Sequence, residues 1–224
     1  MQKIASKLNK SFFTAQTFEF LESIADNNNK EWWQAHKTQF LEYVRNPLEF
    51  LAVELSVEYG QPHIYRPNRD VRFSKDKSPY KSFAAFWIPT GAVGYYLEIN
   101  KARIMLGGGT YEPASDQLLK WRQLFDDKDK RLQAHKVIKQ MQKAGFELLQ
   151  ENSLKSAPKG WKSDHLDIEF LRLKHLVVTK CYSRDEVLAN SDYFETYKKD
   201  FESAQIWNKM LDKLVGGSKL ERRK

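Results

Sequence analysis

Apolar positions recur every three or four residues through the first third of the chain, every second residue in the middle, and at helical spacing again towards the end. Phe18, Leu21 and Ile24 predict a short helix capped by Thr17. Beyond Asn27, Asn28 and Asn29, the stripe Trp32, His36, Phe40 and Tyr43, with Trp33 and Val44 beside it, predicts a second helix. Asn46 and Pro47 have the form of a cap and a first-turn proline. A third helix is therefore expected, turning Leu48, Leu51, Ala52 and Leu55 inward and stopping at Gly60.

Residues 83–88, 94–99 and 102–107 are aromatic and β-branched segments separated by turn residues, and predict adjacent antiparallel strands with a hairpin at Asn100 and Lys101. Residues 69–74 would add a strand, with Val71 and Phe73 anchored inward and Asp70, Arg72 and Ser74 on the opposite face. Helices are expected after Pro113, through Leu118, Trp121, Arg122 and Phe125, and over 130–144, with Leu132, Ile138 and Met141 inward and Gly145 as a left-handed cap. Residues 146–149 and 175–182 read as strands, 154–161 as a loop, and Ser183 with Glu186 as a capping box opening a long final helix. Helices, then strands, then helices without strict alternation predict an α+β fold: a central, mostly antiparallel sheet packed by N-terminal, middle and C-terminal helices.

The length of 224 residues suits a single domain over 1–224, and six Trp, fourteen Phe and ten Tyr argue against disorder. No apolar run approaches the roughly 18 residues of a membrane span, and the N-terminus lacks a signal-peptide apolar region, so a cytoplasmic protein without membrane contact is expected. The net charge is +8, but residues 1–10 hold +3 and residues 219–224 hold +3, which leaves +2 between them. Residues 1–11 and 216–224 are thus expected to be mobile basic ends, and the overall charge is a poor argument for nucleic-acid binding. The single cysteine, Cys181, allows no intramolecular disulfide and is expected as a buried strand thiol.

Candidate chemistry concentrates in residues 69–81, RDVRFSKDKSPYK, where five of seven charges are basic. Arg69 and Arg72 offer planar forks for a phosphate or carboxylate, while Lys75, Lys77 and Lys81 add point charge and Ser74 and Tyr80 add hydrogen bonds. Asp70 and Asp76 are the candidates for an acid or base, or they neutralise their own neighbours in a salt-bridged loop. Gly107, Gly108 and Gly109 permit close approach of a backbone or a ligand; Gly108 and Gly109 are candidate contacts, although no P-loop or dinucleotide fingerprint surrounds them. Lys155, Lys159 and Arg172 form a second basic group. The five histidines lack zinc-site spacing, so no metal and no cofactor are expected.

The segments Asn27 to Trp33 with Lys37, Arg69 to Lys81, Gly108 to Pro113 with Arg122, and Leu154 to Gly160 with Asp164, His165 and Arg172 to Lys174 together resemble the family designated Domain of Unknown Function 2461. The resemblance covers roughly residues 17–182, with RFSKDKSPYK its most specific part. Trp33 stands where the family commonly has Phe, and Leu166 where Pro is usual, which alters the turn expected there. The resemblance implies no activity, cofactor or catalytic residue.

The residues themselves therefore carry the functional expectation: a basic pocket for a small anionic ligand, phosphorylated ligands among the candidates, with catalysis left open. The alternatives are an internal salt-bridge network in a structural or interaction domain and, less favoured, nucleic-acid binding through the basic ends. A shared pocket requires Arg69, Arg72 and Lys81 to face one surface without being consumed by internal carboxylates.

Overall fold

The computed structural model of the chain describes residues 13–190 and 193–220. In chain order come helices α1 (Ala15–Asp26), α2 (Lys30–Phe40) and α3 (Asn46–Tyr59), then strands β1 (His63–Ile64), β2 (Phe83–Thr90), β3 (Val93–Asn100) and β4 (Arg103–Thr110). Helices α4 (Ser115–Gln123) and α5 (Lys128–Lys143) follow, then β5 (Glu147–Leu148), the single turn α6 (Ile168–Leu171), β6 (Leu176–Ser183), α7 (Arg184–Ala189) and α8 (Tyr193–Leu214). The fold is α+β, with a six-stranded antiparallel sheet in the order β1-β2-β3-β4-β6-β5. His63 stands opposite Trp87 at one edge and Glu147 opposite Thr179 at the other.

The chain divides into two compact units, Met1–Ile88, Tyr96–Leu106 and Cys181–Lys199 forming the first and Pro89–Tyr95, Gly107–Lys180 and Asp200–Lys224 the second. The first buries Phe18, Leu21 and Ile24 of α1 with Leu48, Leu51 and Leu55 of α3; the second buries Trp121, Phe146, Phe201 and Trp207. Burying a Leu- or Phe-sized side chain contributes about 1.5–3 kcal/mol, so these clusters dominate the stability of each unit. Residues 1–11 and 221–224 of the expected basic ends lie outside the described residues. Gly216 O accepts from the Gln117 side chain at 2.8 Å, and Ser218 Oγ and Lys219 N donate to Asp116, which ties this stretch to α4.

The expected break at Asn46 does not occur. Residues 30–59 run as one continuous helix, with a π turn at Leu41–Arg45 joining α2 to α3, and Asn46 is itself helical, its N–H donating to Leu41 O. Pro47 has no N–H for Tyr43 O, and its ring would crowd that carbonyl in a regular helix; widening the turn relieves the clash. The orphaned Tyr43 O accepts instead from Thr17 Oγ1 at 2.7 Å. Thr17 is therefore not the cap of α1: Thr14 is, and buried Thr17 is the third helical residue, accepting the Thr14 N–H at 3.1 Å. Thr17→Val keeps the shape but removes the donor from a half-buried carbonyl, and should lower stability by about 1 kcal/mol in urea unfolding. An unchanged midpoint would mean that solvent serves Tyr43 O instead.

Four further expectations are corrected. Trp33, Phe40 and Val44 face the core, whereas Trp32 and His36 are partly exposed and stack on each other at 4.2 Å. Leu132 is 71 % exposed, because the buried face of α5 runs through Ala134, Ile138 and Met141 and Leu132 lies about 200° of helical rotation from Ala134. Cys181 is exposed: strand alternation places it on the side of Val177 and Thr179, opposite Leu176 and Val178. The Ser183 and Glu186 capping box opens only the short α7, because Asn190 adopts extended backbone before α8 begins.

Candidate functional site

Residues 69–74 form no strand. An isolated bridge joins Asn68 to Tyr80, with Arg69 N–H donating to Pro79 O at 2.9 Å and Lys81 N–H to Pro67 O at 2.8 Å, so the intervening residues make a loop closed at its base. The α1–α2 turn fixes that base. Asn28 clamps the Tyr80 backbone from both sides, Nδ2 donating to its carbonyl at 2.8 Å and Oδ1 accepting its N–H at 3.0 Å. Trp33 stacks on the buried Tyr80 ring at 4.3 Å. Tyr80 anchors the loop; Phe73, expected to do so, is 96 % exposed, with the Arg72 guanidinium 5.9 Å from its ring centroid.

Most of the loop's cations have internal partners. Arg72 forms a two-pronged ion pair with Asp70, whose carboxyl is held below its ordinary range first by that guanidinium and then by the Arg72 N–H. Arg69 pairs with Asp76 and donates to Ser78 O at 3.2 Å. The Asp76 carboxyl is held down to about 2, by the Ser78 hydroxyl and N–H and then by Arg69. With a folded value below the ordinary 3.8, the stability that Asp76 lends the loop is fully present above pH 3.8 and is lost as pH falls through about 2. So low a value makes Asp76 a poor general base at neutral pH. Lys77 Nζ donates to Val71 O at 3.0 Å; Lys75 is exposed, and Ser74 is half-buried.

Lys81 differs. Its Nζ donates to Arg66 O at 2.6 Å and Asn68 O at 3.1 Å, and among the described residues it forms no ion pair. Burial, and then the Arg66 charge, lower its pKa. Lys81 and Arg69 line a cleft of about 350 Å³ within the first unit, together with Asn28, Asp76, Ser78, Tyr80 and Phe83. Of the cations expected to share a pocket, Arg72, Lys75 and Lys77 are not in this lining. Asn28 is, and its long-range hold on Tyr80 has no local sequence signal.

The glycine triplet lies in β4 and is buried. A Cβ on Gly107 would sit 2.2 Å from Val178 O, one on Gly109 2.0 Å from Leu176 O, and one on Gly108 3.0 Å from the Asn208 side chain. The close approach these glycines permit is filled by β6 and α8. Lys155 and Lys159 are exposed, while Arg172 is partly buried, its carbonyl accepting from Leu154 N–H at 2.9 Å.

Sequence reasoning also missed a buried ionic cluster in the second unit. Asp167, its side chain 3 % exposed, forms an ion pair with Arg131 Nε and accepts from His135 Nε2, each at 2.7 Å, and its own N–H donates to His165 Nδ1. Arg131 and His135 lie one helical turn apart on α5, a spacing that aims both at one target but leaves the target unnamed. Among the described residues no three His, Cys, Asp or Glu side chains are grouped to hold a metal, and no helix is long and apolar enough to cross a membrane.

The family model described as conserved hypothetical protein (DUF2461) matches residues 16–210. Comparison with curated proteins returns no match.

Proposed function

The chain belongs to the conserved hypothetical protein family DUF2461, a membership that assigns no activity, and we propose a soluble, cytoplasmic protein whose loop cleft binds a small anionic ligand. The observation that carries this reading is Lys81. Its partly buried ammonium faces the Arg66 charge and has carbonyl but no carboxylate partners among the described residues, so an incoming oxyanion supplies the missing counter-charge. Arg69 lines the same cleft, and although one of its N–H groups is taken by Asp76, the rest of its fork suits a phosphate or carboxylate group beside Lys81.

A thermal-shift screen with inorganic phosphate, phosphorylated metabolites and nucleotides tests the proposal. A compound at about 100 times its Kd should stabilise the protein by about 2.7 kcal/mol. Lys81→Met should remove that stabilisation while the variant stays folded, and Arg72→Ala, outside the cleft, should leave it intact. A screen without a hit, or a hit untouched by Lys81→Met, refutes the reading.

The internal pairing of Arg69 with Asp76 and of Arg72 with Asp70 favours a second reading, in which the loop is a structural latch. Arg69→Gln would then lower the melting temperature equally with and without any compound.

A further inference from the structure

We propose that Asp76 is an internal competitor for the ligand of the loop cleft, its carboxylate setting how strongly the cleft binds an oxyanion and which charge it prefers. The inference rests on the anion-binding reading above and adds the residue that opposes binding. Asp76 is the only acid in the lining of the cleft, which it shares with Arg69 and Lys81. Its two oxygens have different partners. Oδ1 accepts the Ser78 N–H at 2.9 Å and the Ser78 hydroxyl at 2.6 Å, while Oδ2 accepts from Arg69 Nη1. The low pKa of this carboxyl owes more to Ser78 than to Arg69. Asp76 can therefore give up Arg69 to another anion and still be held, ionised, by Ser78.

Arg69 is divided in the same way. Its Nη1 serves both Asp76 and Ser78 O, and its Nε and Nη2 have no protein partner among the described residues. One guanidinium charge is thus offered to two anions, the carboxylate that the loop carries and the group that a ligand brings. With Asp76 in place one net positive charge remains in the lining, and without it there would be two. The carboxylate therefore weakens the cleft for every anion, and most for the most highly charged. A phosphate dianion meets twice the repulsion that a carboxylate meets at the same place. The Asp76 side chain is 60 % exposed, so water screens that repulsion to a moderate size. Asp70 supplies the contrast, because it pairs with Arg72 and neither residue lines the cleft.

The test is a titration of the full-length protein with inorganic phosphate and, separately, with acetate, followed by nuclear magnetic resonance at constant ionic strength and about pH 7.5, where phosphate is mostly a dianion. Asp76→Asn keeps an oxygen for Ser78 and removes the charge. It should tighten phosphate binding about tenfold and acetate binding about threefold, half the effect on a logarithmic scale. Asp70→Asn, the same change of charge outside the cleft, should alter neither by as much as about twofold. In the wild type the carbon-13 resonance of the Asp76 carboxyl should move with phosphate and saturate, while that of Asp70 stays in place. Lys81→Met separates the two levels of the argument. Phosphate binding that Lys81→Met abolishes but that is equal in the wild type and folded Asp76→Asn overturns this inference and leaves the anion-binding reading standing. No binding of either anion to either protein overturns both. An Asp76 carboxyl that phosphate does not move in the wild type overturns the inference even where the variant fails to fold.

Discussion

Gly109→Ala is expected to leave little folded protein. The new methyl carbon would stand 2.0 Å from Leu176 O and 2.8 Å from Val177 Cα, both backbone atoms of a paired strand that no side-chain rotation can clear. At φ +132° the residue also occupies backbone that only glycine adopts easily. Either β4 and β6 separate, which forfeits ladder hydrogen bonds and the packing of buried Leu176 and Val178, or the strand bends. Overpacking against a rigid backbone belongs to the few mechanisms that exceed about 4 kcal/mol. Two companions grade the effect. Gly108→Ala meets a side chain at 3.0 Å that can shift and should be milder; Gly91→Ala has a φ of +75° and nothing within 4 Å, and should cost about 1–2 kcal/mol. Soluble yield and urea midpoints report the order, and a Gly109→Ala protein as stable as Gly91→Ala would show that the sheet yields at this point.

Asp167→Ala should lower stability by about 3 kcal/mol, near the low end for breaking a buried ion pair. The carboxylate is 3 % exposed, but the Arg131 and His135 side chains stay 36 % and 30 % exposed, so water recovers part of what they lose. Asp167→Asn should fall between the wild type and Asp167→Ala. An amide can turn its oxygen to Arg131 Nε and its NH₂ to His135, provided that the imidazole adopts the tautomer that accepts, but it brings no charge to the guanidinium. Denaturation in urea with an unchanged slope measures both variants. If Asp167→Ala lies within about 0.5 kcal/mol of the wild type, the cluster is not holding the segment that contains Asp167 against α5.

How far the sequence could be read depended on the range of the interactions. The three central strands, the Gly145 cap and the Ser183 box follow from neighbours within a few residues, and all three are present. The 69–74 segment also satisfied a local rule, since Val71 and Phe73 alternate with charged residues, yet it is a loop. Asp70 Oδ1 accepts the Arg72 N–H and Asp76 Oδ1 the Ser78 N–H, so aspartates two residues upstream bond backbone groups that a strand would need for pairing. The glycine triplet correctly signalled a close approach, but composition does not tell a ligand from the chain itself. Asn28 with Tyr80, and Asp167 with His135, are 52 and 32 residues apart, and no periodicity links them.

The π turn before Pro47 amounts to a change of reading frame within one helix. Counted from Trp33 and Phe40, a regular helix would carry the later residues round by a fixed 100° each, but the wider turn absorbs about one residue without advancing the wheel. Leu48, Leu51 and Leu55 therefore meet the core from a sequence that is one residue long for its geometry. A one-residue deletion here would keep the buried face in place but would press Pro47 back against the carbonyl four residues before it, so the length of the chain can change at this turn only where Pro47 is also replaced.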